Sequence, residues 1–539
     1  MISSIRSPIF VFAVASLCVA GAAEMAGAQG EEQHALRPSP EAFYNQAVRS
    51  ATPGKDGAGE QFCWRANFNM GIFLQAYEAW HDTAWLDWGV KFYDYAISKM
   101  GTGPDGRKGW IGAYIYDGQY ACDVHVGDAV LVDHMLEFAE VVLKDPKLKA
   151  KYGEAATRYV ELARNDVIDK WDARGTWRED GPYGSYVMWD HYCKPGDPTD
   201  WQKLPDVKNS GLSLPFNKQN DMALVCLKLY RITGEKSYRD KAEKIFAFMR
   251  SRFQYVDDYY VWNYWEPFGP WDIDVPAKES RHWMNVHGYR NYQAGEIGQI
   301  VEAYHTGVVF TETDMRRIIS TNLEVMWNKD KAAPKFVNSN AALPVPEMTE
   351  EQRKAQEAAI AANPYAKEGR AGCLWTGLLD FDQTVRDLYA LQLAGDARDT
   401  RGKVARDYFK NVTCKSPPSF ARKYAKDDVT VPQVPVTQCR SLTVATVMPC
   451  TMKRGTSSLV FCKARIPVDV EIALYSADGK QLVSPIYKGK IEGGTDGHAG
   501  VFFVQWDPQS VEGQTLKGPY RVRWTVADGY REFPVMVGD

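Results

Sequence analysis

The chain has 539 residues, 24% of them charged and 13% aromatic, with a net charge of −4. That length allows one large domain plus a small one. The near balance of charge, with no basic stripe, excludes nucleic acid as the natural partner, although a locally positive cleft would still suit an acidic polymer.

The first residues read as an export signal. Arg6 gives a basic start, and Ile9 to Ala22 is mostly apolar but too short to span a bilayer. Ala26-Gly27-Ala28 offers the small residues that cleavage before Gln29 requires. Residues 1–28 are expected to be a signal peptide, and the product secreted or periplasmic. No later stretch is long and apolar enough to cross a membrane. Ten cysteines are present, with Cys18 in the signal. An oxidising compartment makes disulfides reasonable, and the expected pairs are Cys450 with Cys462, flanking a turn, and Cys414 with Cys439, flanking a proline-rich connector. No CxxC pair or Cys/His cluster points to zinc, so neither metal nor cofactor is expected.

Residues 29–413 read as a series of helical hairpins. The charged members are 81–100, 145–167, 233–253, 310–329 and 395–412, each opening on a turn or capping residue and then showing apolar positions at helical spacing. Their apolar partners are Arg65–Ala79, Asp123–Leu143, Lys218–Ile232, Asn291–His305 and Phe381–Ala394. A loose repeat of this kind predicts a mainly α fold, an (α/α) toroid with an inner and an outer ring of helices. Four long inserts, Gly101–Cys122, Trp171–Asn217, Gln254–Tyr292 and Lys331–Thr376, each lead from an outer-type to an inner-type helix. Toroid geometry therefore gathers them at one end.

After Thr413 the chain becomes polar and rich in proline, so 414–440 reads as a linker. Short β-type runs follow at Leu442–Met448, Ser458–Cys462, Val468–Tyr475, Val501–Trp506, Tyr520–Val526 and Phe533–Val537. Residues 441–539 are accordingly expected to form a small β-sandwich.

The segment Trp262–Glu296 mixes tryptophans, tyrosines and two histidines with acids and Arg281, and its prolines forbid a continuous helix. Rings of this kind stack on sugars, and the polar groups bind hydroxyls or move protons. Two chemistries fit. β-Elimination on a uronate needs a neutralised carboxylate and a Tyr or His base. Asn217, Gln219, His191, Arg281, His287, Tyr289 and Tyr292 offer that set. Hydrolysis needs two carboxyl groups, here from Glu266, Asp128, Asp272 and Glu296. The group His125, Asp128 and His134 on CDVHVGDAVLVDHM adds a third polar cluster.

The helical pairs, the aromatic inserts and RHWMNVHGYRNY (281–292) make residues 40–412 resemble the (α/α)-toroid polysaccharide lyases, the group that includes alginate and glucuronan lyases. Six-hairpin glycosidases share that architecture. The lyase resemblance implies a tyrosine acid and a histidine beside an amide or arginine neutraliser. The chain has no Asn-Asn-His-Ser-Tyr run, so residues are assigned by type and position. Tyr292, His287, His191 and Tyr289 are expected to be catalytic. Asn217, Gln219, Arg281, His282, Trp262, Trp265, Glu266 and His125 are expected to bind substrate. The implied activity is cleavage of an anionic, uronate-containing polysaccharide by elimination. The alternatives are a glycoside hydrolase of the same fold and a non-catalytic glycan-binding protein. Residues 441–539 resemble the immunoglobulin-like domains appended to secreted enzymes.

Overall fold

A computed structural model of the protein describes residues 37–256, 258–281, 284, 292–337, 351, 354, 372–396, 399–425, 439, 441–464, 466–494, 500–508 and 515–538. Helix α1 (Pro40–Ser50) starts where Ser39 accepts the Ala42 N–H and Pro40 takes the first helical position. Five helices then form the inner layer: α2 (Glu60–Trp80), α4 (His125–Lys144), α7 (Phe216–Thr233), α9 (Tyr292–Thr306) and α11 (Gln383–Asp396). Of these, α2, α4, α7 and α9 pack side by side in chain order. The inner helices are covered on most sides, although α11 leaves Asp387, Ala390, Leu391 and Gln392 exposed. In α4, all residues from His125 to Val132 are buried.

The outer helices are amphipathic. They are α3 (Ala84–Ile97), α5 (Pro146–Leu162), the short α6 (Asp169–Ala173), α8 (Lys236–Ser251), α10 (Glu312–Ser320) and α12 (Thr400–Asn411). In α8, Tyr238, Ala242, Ile245, Phe246 and Met249 turn inward at helical spacing. Gly234 ends α7 at φ 78°, a conformation glycine adopts without strain. The expected helix 145–167 runs on to Ala173 through a π-helical turn at Ala163–Ile168. The layers close when α12 meets α2. Arg401 donates to Asn69 Oδ1 at 2.6 Å, Asn411 to the Ala79 carbonyl at 3.0 Å and the Trp80 indole to Asp407 at 2.9 Å. The result is the expected (α/α) toroid.

The inserts interlock at one end. Strands 112–113 and 121–122 of the first join 191–194 and 197–203 of the second in one sheet. The third is pinned to the second through Asp272. This fully buried carboxylate accepts from Ser213 N (2.9 Å), Ser213 Oγ (2.7 Å), Phe268 N (2.8 Å) and Gly269 N (3.2 Å). Trp265 adds a bond from its indole to the Ser213 carbonyl at 2.7 Å. The fourth insert reaches the third where Trp375 meets Trp262, ring centres 5.7 Å apart.

At the opposite end, residues 416–425 lie across the inner helices. Tyr304 Oη donates to the Phe420 carbonyl, Arg422 donates to the Phe310 carbonyl at 3.0 Å, and Tyr424 N donates to the His305 carbonyl at 3.0 Å. Tyr424 lies 4.1 Å below the Arg231 guanidinium.

The C-terminal region is two sheets. One pairs 442–448, 458–464 and 501–506; the other runs 451–453, 529–538, 518–526, 468–476 and 482–491. The immunoglobulin-like identity is not supported; what stands is a β-rich region in sheets. It is seated on the toroid. Ile273 of the third insert packs with Val444, Met448, Leu459 and Phe461, and Tyr183 meets Phe533 at 5.8 Å. The expected disulfides are absent: all nine described cysteines are unbridged. Cys439 Sγ instead contacts Asp528 Oδ1 at 3.6 Å, and Cys450 Sγ contacts the Asp180 carbonyl at 3.6 Å.

The Asp180 carboxylate also ties the second insert to the sheets by accepting Cys450 N at 2.5 Å and Thr451 N at 2.9 Å. Replacing Asp180 with Ala leaves both amides without their acceptor, and each net bond is worth about 1 kcal/mol. The expected outcome is a loss of about 2 kcal/mol in thermal unfolding, with faster amide exchange at residues 450–451; unchanged exchange there would remove the tie.

Candidate active site

The inner helices carry a polar stripe along their facing sides. On α7 it consists of Lys218, Asp221, Lys228 and Arg231; on α4, of Asp133, Glu137, Glu140 and Lys144; on α9, of Gln299 and Glu302. These spacings of three, four and seven residues return to one helix face. The stripes meet across the toroid axis and form a column of ion pairs.

At the insert end, Lys218 of α7 donates to Glu60 Oε1 of α2 at 2.9 Å, and the Trp64 indole donates to the same oxygen at 3.2 Å. Tyr116 lies 5.7 Å from the Lys218 ammonium. One turn deeper, Gln299 donates to Asp221 Oδ1 at 2.5 Å. Deeper still, Lys228 is shared by Asp133 (2.5 Å) and Glu137 (3.1 Å). His134 sits between Glu137, 2.8 Å from Nδ1, and Asn67 of α2, 2.9 Å from Nε2. Gly71 makes room for that imidazole, since a Cβ there would lie 2.9 Å from His134 Cε1. The far end closes with Arg231 held by Glu140 and Glu302, both at 2.7 Å.

Side chains enclosed by a ring of helices would ordinarily be sealed. Here the Asp133, His134 and Glu137 side chains remain 15, 22 and 37% exposed, and Asp221 is part-exposed. Water therefore reaches them inside the ring. Lys228, by contrast, is only 2% exposed. The surroundings push the acids apart. Burial raises Asp221 well above the carboxylate range, and the Asp133 charge adds to that. Burial also raises Asp133. Glu137 goes the other way: despite burial, the Lys228 ammonium and His134 hold it well below its ordinary value. Glu137 in turn raises His134, overcoming the effect of burial. Carboxyl groups with opposite shifts in one site are what acid–base catalysis uses.

Asp133, His134 and Glu137 could also present a ligand set to a metal, their donor atoms lying within 4.8 Å of one another. The donor set does not fit a cation well, because the Lys228 ammonium already bonds both acids and His134 has both nitrogens engaged.

The residues expected from the sequence lie elsewhere or do other work. His282, His287 and Tyr289 fall outside the described residues. Tyr292 opens α9 and stacks on Tyr264 at 4.4 Å, near the insert end. Asn217 is buried in the first turn of α7; its carbonyl accepts from Gln299 at 3.0 Å, and its Oδ1 has no donor. Gln219 is fully buried and pins the second insert through Tyr186 N (2.8 Å) and the Tyr186 and Leu214 carbonyls (2.9 and 3.2 Å). His191 pairs with Asp190 at 2.8 Å and stacks on Trp189, with no contact to Tyr292 among the described residues. Arg281 is exposed and donates to the Trp271 carbonyl at 3.1 Å.

Four of the residues expected to bind substrate are buried. Trp262 is completely buried, donating to Glu296 Oε2 at 2.6 Å and packed on Phe253. Trp265 is held on Ser213. Glu266 lies under the C-terminal sheets at 1% exposure. His125 is sandwiched on Trp171 at 3.7 Å and bonded to Thr176 at 2.9 Å. Asp128 and Asp272 are likewise structural: Asp128 accepts from the Trp171 indole at 2.8 Å and pairs with Lys170 at 2.7 Å.

No family model and no curated protein matches the sequence. Among solved structures, the chain is similar to an inactive double-aspartate variant of the GH76 α-1,6-mannanase of Salegentibacter sp. HEL1_6 bound to α-1,6-mannotriose, at 12% identity, TM-score 0.33, covering 69% of this chain and 97% of that one. It is also similar to a GH76 α-mannanase of Bacteroides thetaiotaomicron, at 13% identity and TM-score 0.27, covering 53% and 58% of the two chains. Superposition this loose carries no residue correspondence. It does set hydrolases, where lyases were expected, beside this fold. The elimination reading is corrected accordingly.

Glu296 gives the site a pH signature. Burial raises its carboxyl from 4.5 to about 8, helped by the Asp221 charge and opposed by the Trp262 indole. A folded-state value above the unfolded one means stability is full below pH 4.5 and declines as pH rises toward 8. Glu296→Gln is expected to come closest to the parent Tm at pH 4 and to exceed it at pH 8. Parallel Tm curves for the two proteins across that range would contradict the assignment.

Proposed function

We propose that the protein is a glycoside hydrolase whose chemistry takes place in the axial polar column, with Asp221 as general acid and Glu137 as the ionised carboxylate. What supports this reading is the column itself: Asp221, bonded by Gln299, and Glu137, bonded by Lys228 and His134, stand part-exposed on the inner helices α7 and α4, and their surroundings displace the two carboxyl groups in opposite directions. Hydrolysis of a glycosidic bond needs this division of labour. One carboxyl stays protonated to give a proton to the leaving oxygen, while the other stays charged to activate water or stabilise the positive sugar carbon. Lys228 and His134 keep Glu137 charged, while burial and the Asp133 charge keep the Asp221 proton on. Gln299, which donates to Asp221, orients that carboxyl. The substrate is a polysaccharide, entering from the insert end because residues 416–425 cover the other. The wider setting proposed is export from the cytoplasm, on the strength of residues 1–28.

Incubation with a panel of glycans, including α-1,6-linked mannan, should release new reducing ends without an unsaturated-uronate absorbance. Asp221→Asn and Glu137→Gln should each lower kcat by at least about 100-fold while leaving the folded spectrum intact. Activity should fall at high pH as Asp221 loses its proton, and that limb should be missing from the residual rate of Asp221→Asn. Full activity in both variants would remove these residues from the chemistry.

A further inference from the structure

The seam between the toroid and the C-terminal sheets buries an unbalanced set of charges. Arg252, just after α8, is 4% exposed; Arg531, on strand 529–538, is 9% exposed; Glu266, in the third insert, is 1% exposed. Their places are fixed by backbone contacts. Arg252 Nη2 donates to the Pro267 carbonyl at 3.2 Å, next to Glu266 in the chain. Arg531 Nη1 reaches the Leu442 carbonyl at 3.4 Å, and Gln254 reaches the adjacent Thr443 carbonyl. The Arg252 guanidinium also lies 5.1 Å from the Phe533 ring, two residues along the same strand face as Arg531.

These charges feel one another without touching. Arg252 and Arg531 both act on Glu266, and Arg531 acts on Arg252 as a like charge. Yet no ion pair within 4.0 Å joins Glu266 to either arginine among the described residues. Arg252 Nε has no acceptor, and Glu266 Oε2 has no donor; both atoms are buried. The Lys463 ammonium, 2% exposed and bonded to the Gly494 carbonyl at 3.2 Å, adds to the positive field. Two guanidinium groups against one carboxylate leave an excess positive charge out of water, a costly arrangement unless something neutralises it. The unfilled bonding capacity at Arg252 lies where such a partner would sit.

We infer that a single halide-sized anion, chloride in solution, binds at this seam between Arg252 and Arg531 and completes the attachment of the sheets to the third insert. With Lys463 included, three cations face one carboxylate, so one negative charge halves the excess, and the unpartnered Arg252 Nε–H supplies it a donor. This inference stands apart from the proposed hydrolysis, because neither arginine belongs to the axial column.

Thermal unfolding of the full chain is to be followed in sodium chloride and in sodium gluconate at matched ionic strength. Binding to the folded state alone should raise Tm saturably with chloride, by about 2 °C or more, with no saturable rise in gluconate. Arg531→Met should abolish the chloride-specific rise. Glu266→Gln, which removes the competing negative charge, should shift the half-saturating chloride concentration about tenfold lower and keeps the test open if the arginine variant does not fold. Crystals soaked in bromide should show anomalous density flanked by both guanidinium groups. Equal Tm values in the two salts, or bromide only at other surface positions as an adventitious ion, would overturn the inference.

Discussion

A lysine held between two acids in the middle of a helical ring governs this molecule. Lys228 is almost sealed from solvent and bonds both Asp133 and Glu137. Removing one member of such a group strands charge in a poor solvent for it, which typically costs 3–5 kcal/mol. The ring can therefore enclose acids only because it encloses this cation with them. The same contact separates the acids chemically, since the one best served by Lys228 and His134 stays charged while Asp221 and Asp133 are driven toward the protonated form. Architecture and chemistry thus share one origin.

The scaffold around the column explains how the geometry is kept. Several polar residues that look like a binding surface when read in the chain act as pins. Asp272 of the third insert, Gln219 of α7, and Asp128 and His125 of α4 each satisfy a backbone, indole or hydroxyl group of another segment. Buried polar groups of this kind are costly unless matched, so once matched they fix one arrangement. Asp180 and Ile273 extend the same logic to the C-terminal sheets, which rest on the inserts as a fixed wall.

Much of the fold was legible in the sequence. Apolar positions at helical spacing, with capping residues such as Asp145 before α5, mark the hairpins. The alternation of insert lengths then places the inserts at one end. Six β runs stood out between turn residues, while strands 451–453 and 482–491 went unread. Helix α1 went unnoticed, although Ser39 and Pro40 announce it. The site was harder to see. Density of tryptophan drew attention to 262–296, but a large ring serves a core as readily as a cleft, and only three-dimensional packing separates Trp262, buried on Phe253, from an exposed platform. The informative signal was quieter: charged residues at one-face spacing on otherwise apolar helices, Asp133, Glu137 and Glu140 on α4 and Lys218, Asp221 and Lys228 on α7. His134 was noticed there, yet its partner Asn67 lies 67 residues away and no local pattern joins them.

On the proposed reading, water and not elimination completes the cleavage. The most direct measurement is digestion of a susceptible glycan in heavy-oxygen water, followed by mass spectrometry of the fragments. Hydrolysis in the axial column predicts one heavy oxygen atom incorporated at each cleavage and saturated sugars at every new end. Fragments that carry an unsaturated terminal sugar and no heavy oxygen would contradict it.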